Sequence, residues 1–177
     1  MTTGHIMPHF ILGLCLLFSL NYATGASSSA PLSTNIPSDH VAGQAVQRFK
    51  LAEDVSVEDA VESMKLRANQ RNFKLVAELP LSEQVKAMGQ PSRYMHILAF
   101  CDALIASQMV QHNPLFAAFL PCRIAVIQDE TGQGWLVTMN IDQVLGGVNL
   151  PAELQPLAKQ VRDTMYSIID AGIHGDL

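Results

Sequence analysis

Charge is what this chain has least of. Of its 177 residues only 15% are Asp, Glu, Lys or Arg, against about a quarter in an ordinary soluble domain. The 11 basic and 16 acidic residues leave a net charge of −5. The first basic residue is Arg48, and no basic run follows it. That excludes an electrostatic grip on nucleic acid as the main activity. Cysteine is also scarce: 3 residues are too few for a disulfide scaffold or a four-thiolate zinc site. No C-x-x-C occurs, so a thioredoxin-type dithiol and a c-type haem attachment lack support. H-E-x-x-H, G-x-S-x-G, the Walker loop and the dinucleotide fingerprint are all missing. No residue is therefore assigned a catalytic or metal-ligating role, and the chain reads as a binding module rather than an enzyme with a built-in nucleophile. No motif implies a cofactor, and a metal or haem stays open.

Apolar residues are plentiful, at 49% of the chain, enough for the core of one ordinary domain. Phe10 to Leu20 (FILGLCLLFSL) is apolar except for Gly13 and Ser19. Its length suits a signal peptide, since a bilayer span needs about 20 apolar residues. Small residues follow in Ala23-Thr24-Gly25-Ala26, as a signal peptidase requires. Residues 1–25 are thus expected to be an export signal, cleaved or kept as an anchor. They direct the protein to the periplasm, outside the cell or to its surface, and leave no stable membrane span in the mature form. Residues 26–43 are rich in Ser, Pro, Ala and Gly with no periodic apolar face, so they form a linker. Residues 44–177 remain as one domain.

Within it, Val46 to Leu51 is a strand candidate. Ser56-Val57-Glu58-Asp59 has the form of a capping box, and Val57, Val61, Met64 and Ala68 recur at helical spacing over 57–70. Phe73 to Leu79 alternates as a half-buried strand. Tyr94 to Cys101 is apolar on both faces, which predicts a central strand covered on each side. Asp102 can cap a helix from Ala103 to about Gln111, with Leu104, Ile105, Met109 and Val110 facing inward. Asn113-Pro114 opens a short helix that stops at Pro121. Cys122–Gln128 and Trp135–Asn140 form a hairpin around Thr131-Gly132-Gln133-Gly134. A last helix carries Leu157, Val161, Met165 and Ile168, with Pro156 in its first turn. The hairpin breaks strict strand–helix alternation. The expected fold is therefore α+β: a mixed or antiparallel sheet of about five strands, with helices packed on one face.

Two segments carry a family resemblance. Phe100-Cys101-Asp102 ends a strand, and Leu120-Pro121-Cys122-Arg123-Ile124 begins the next. This resembles the domain-of-unknown-function 302 (DUF302) family, with an F-C-N/D strand end and an L-P-C-R-I strand start. Asp102 stands where Asn is usual. The similarity runs over roughly residues 45 to 140. It implies a compact α+β domain, compatible with self-pairing, and no settled activity.

Cys101, Cys122, Arg123 and Asp102 are the candidate ligand or redox residues. Three readings compete: buried structural thiols, a disulfide in an oxidising compartment, and a reactive or ligand-holding pair. In the last, thiol redox or sulfur and metal handling would use Arg123 to lower a thiol pKa. Parallel strands would hold the sulfurs at opposite sheet edges, whereas antiparallel strands bring the two ends together and make a bridge possible. Arg123 is also placed to pair with Asp102. Two expectations complete the reading: a small-ligand-binding or self-associating exported domain, and a homodimer. Its interface would be the sheet face of Tyr94, His96 and Phe100, or the stripe Leu157, Val161, Met165.

Overall fold

The computed structural model describes Met1 and residues 45–176. The expected signal and linker lie outside the described residues. Strand β1 is Val46–Lys50, and helix α1 is Val57–Gln70. Ser56 caps α1, its Oγ accepting the Asp59 amide at 3.0 Å. The strand β2 is Lys74–Leu79, followed by the short helix α2, Leu81–Ala87. Strand β3 is Met95–Cys101 and helix α3 is Ala103–His112. A 3₁₀ helix, Pro114–Phe119, leads to β4, Cys122–Gln128, and β5, Gly134–Met139. The Leu120–Pro121 peptide bond, just before β4, is cis. Two helices complete the chain: α4, Ile141–Gly146, and α5, Gln155–His174.

The strands form one sheet in the order β1-β5-β4-β3-β2, every neighbouring pair antiparallel. This is the expected α+β class, with the sheet antiparallel rather than mixed. Leu98, Phe100, Ile124, Val126 and Leu136 are all fully buried. The register puts them on one face, and α1 and α5 pack there, supplying Met64, Met165 and Ile168. Burying each such side chain stabilises the fold by about 1.5–3 kcal/mol.

Four expectations need correction. Strand β3 is internal, as predicted, but Met95 and Ile97 on its other face stay half-buried rather than covered. All six residues of β2 are exposed because it is an edge strand, carrying a bulge between Leu75 and Ala77. Leu104 is 77% exposed instead of facing inward. It stands second in α3, and Ile105 and Met109, one turn apart, take the buried stripe. Each expected dimer surface loses one member: Phe100 and Met165 are each 0% exposed and belong to the core.

A lock at the far end of the sheet fixes the hairpin. The Asp129 Oδ1 accepts the Thr131 and Gln133 amides and the Thr131 hydroxyl, while Oδ2 accepts Trp135 Nε1 at 2.7 Å. Arg48 lies 3.4 Å above the Trp135 ring, a favourable cation–π contact. The Thr131 hydroxyl and the indole together hold the Asp129 carboxyl down at about 2.

Candidate functional site

The site is built where strands end. β3 stops at Cys101, β4 starts at Cys122 and β5 stops at Met139, so the antiparallel register gathers all three at one end of the sheet. Asp102 starts α3 there, its Oδ1 accepting the Leu104 and Ile105 amides at 3.0 and 3.1 Å. Asn113 caps the 3₁₀ helix through the Leu115 amide, and Asn140 caps α4 through the Gln143 amide. Each short polar cap satisfies amides that would otherwise be orphaned, which lets three short helices stack against the sheet end. Their apolar sides contribute to a second buried cluster of Ile105, Met109, Phe116, Leu150, Leu154 and Ala158.

Between this cluster and the main core lies a cavity of about 80 Å³. Its wall is drawn from β3, β4, α3, the 3₁₀ helix, α4 and α5, with Ile105, Met109, Phe116, Val144 and Ala158 prominent. Both cysteines and Asp102 border it. Among the described residues of that wall Asp102 alone carries a charge, and its carboxylate is engaged in capping α3. The cavity therefore offers a ligand apolar contact and two weakly polar thiols.

Both cysteines are free. Strand ends do meet, as antiparallel pairing requires, yet Cys122 sits opposite Phe100 while Cys101 sits opposite Lys74, one step further along. Alternation along a strand sends neighbouring side chains to opposite faces. Cys122 thus shares the core face with Phe100, while Cys101, the last residue of its strand, also borders the cavity, and the two thiols stand unbridged. Burial pushes the Cys122 thiol up to about 11, helped by Cys101, and the Arg123 guanidinium opposes this least of the three. Burial, then the Asp102 carboxylate, also raises Cys101. Arg123 itself is exposed, and no ion pair joins it to Asp102 among the described residues.

A model of the family described as "Domain of unknown function DUF302" matches residues 48–172. The chain belongs to the DUF302 family. Among solved structures it is similar to the crystal structure of an uncharacterized conserved DUF302 protein from Bacillus stearothermophilus. The likeness has a TM-score of 0.59 at 21% identity, covering 71% of this chain and 96% of that one. At that identity it shows the DUF302 fold alone. No curated protein matches the chain.

Sequence reasoning found Cys101, Asp102 and Cys122, and the structure brings all three to the cavity; Arg123 is not among the wall residues. It missed Ile141, Val144 and Leu145, which enter the wall on α4. Their signal was present: an Asn cap followed by apolar residues at helical spacing. Among the described residues, no three His, Cys, Asp or Glu side chains gather to hold a metal. No described helix is long and apolar enough to cross a membrane.

His96 belongs to a separate group at the β2–β3 edge. Its Nε2 is 3.0 Å from Glu78, whose other partner is Lys65 at 2.7 Å. Tyr94 Oη lies 3.2 Å from His96 Nδ1. These contacts tie β2 and β3 to α1.

Proposed function

We propose that this DUF302 domain is an exported binding module whose sheet-end cavity takes a small apolar ligand. The observation that carries the reading is the cavity wall: overwhelmingly apolar, with its one carboxylate already engaged. An apolar cavity stays dry and gains by filling, whereas a polar one would hold water. Xenon is a suitable probe, being apolar and able to enter such cavities. Under xenon pressure, amide resonances of Ile105, Met109, Val144 and Ala158 should shift together. Ala158→Leu, which fills the cavity, should abolish those shifts. Shifts scattered over the surface, or unchanged in Ala158→Leu, would refute the reading. Export rests on the segment Phe10–Leu20 and the small residues after it. A mature protein starting between Ala26 and Pro31 is its expected signature.

A second reading, thiol redox or sulfur and metal handling, is favoured by one fact: both cysteines border the same cavity. The raised thiols oppose it, because the thiolate is the nucleophile and the metal ligand. Self-association is the other partner expectation. Light scattering of the mature protein tests it, a mass of two chains supporting it and a mass of one overturning it.

A further inference from the structure

A second apolar recess lies beside the cavity. Leu115, Phe116, Ala118, Phe119 and Val148 line a surface groove of about 360 Å³, with Asn113 at one end. Phe116 and Phe119 belong to both walls. Their rings meet edge-on at 6.4 Å, so one aromatic pair is common to the cavity and the groove. Phe116 is buried, with 8% exposure, whereas Phe119 packs against the smaller cluster from its margin. Leu115, on the groove, is 74% exposed. The whole stretch from Asn113 to Cys122 carries no charge.

We propose that cavity and groove form one track for a linear alkyl chain, the chain's end in the cavity and its body along the groove. This rests on the reading that the cavity binds an apolar ligand, and it names the ligand's class. Two observations select a chain over a ring. The cavity, at about 80 Å³, is roughly half the 150 Å³ that accommodates benzene, so a narrow end fits better than a flat ring. The groove then prolongs the apolar wall outward, which a compact ligand would leave unused. Among the described residues of the wall Asp102 holds the only charge, with its Oδ1 taken up in capping α3, so recognition acts on the hydrocarbon and the head group stays outside.

The test uses the full chain titrated with n-alkanols and n-alkanoates from butyl to dodecyl, followed by calorimetry. Affinity should rise about fourfold per added methylene, the free energy of burying one such group, until the track is full. Both series should rise alike, because the chain and not the head is bound. Ala158→Leu should weaken every member of the series at least tenfold. Leu115→Asp, at an exposed position that leaves the core untouched, should weaken only the longer members. Affinity that does not depend on chain length would overturn the proposal. So would a Leu115→Asp variant that treats long and short chains alike, and this variant decides the matter even if Ala158→Leu fails to fold. Xenon binding without alkyl-chain binding would remove this inference and leave the apolar-ligand reading standing.

Discussion

The Cys122 thiol lies where β4 leaves the cavity, packed against the main core. Burial disfavours its charged form, and the nearby Cys101 adds to the effect, so the thiol is pushed from 9.0 up to about 11. Since the neutral form is the one the fold favours, its contribution to stability is full below pH 9. It is then lost as pH rises through about 11. Wild-type protein should lose stability over that window, and Cys122→Ala should lack that part of the loss. Denaturant melts at stepped pH check this. Alkylation of the Cys122 peptide, followed by mass spectrometry, should likewise accelerate only toward pH 11. An acceleration centred near neutrality would instead support the thiol redox reading.

At the scale of elements, close packing of α5 on α1 depends on Gly172. A Cβ there would meet Met64 Cγ at 2.7 Å and Leu136 Cδ1 at 3.0 Å, inside the main core. Alanine favours a helix over glycine by about 1 kcal/mol, but overpacking costs roughly 1–3 kcal/mol. Gly172→Ala should therefore destabilise the protein despite its better propensity. A Cβ added to Gly146, at the end of α4, would meet nothing within 4 Å. Gly146→Ala should be neutral or stabilising by up to about 1 kcal/mol. Equilibrium unfolding of the two variants against wild type tests the contrast. Elements with long periodic patterns were legible in the sequence: α1 over 57–70, the hairpin, and α5 with Pro156 in its first turn. The short helix α2 was not, because 7 residues give too little periodicity to stand out from a loop, and the 6 residues of α4 were marked chiefly by their Asn140 cap. Exposure of β2 was also hidden, since alternation shows a strand but not its place at an edge. For the same reason the cysteines could be placed at neighbouring strand ends, while the cavity between them and α4 could not.

At the scale of the whole molecule, the described residues hold two apolar clusters of unequal size. The larger, between the sheet and the pair α1 and α5, contains fully buried Met64, Phe100, Leu136, Met165 and Ile168. The smaller, at the sheet end, is built from α3, the 3₁₀ helix, the start of α5 and the residues before it. Its members retain 4–9% exposure. The cavity lies on the seam between them, where missing contacts weaken the join. Local opening follows the weakest packing, so α3, the 3₁₀ helix and α4 should open as a unit while the sheet, α1 and the body of α5 stay closed. Native-state hydrogen exchange should show these segments exchanging well ahead of Leu98, Ile124 and Leu136. Filling the cavity should strengthen the seam and slow exchange in those segments selectively. Uniform slowing would place the ligand elsewhere, because binding at the seam stabilises the closed form of the smaller cluster first. Opening at this end would also carry the 3₁₀ helix, with both Phe116 and Phe119, away from the cavity. The segment that exchanges fastest is thus the one that admits a ligand.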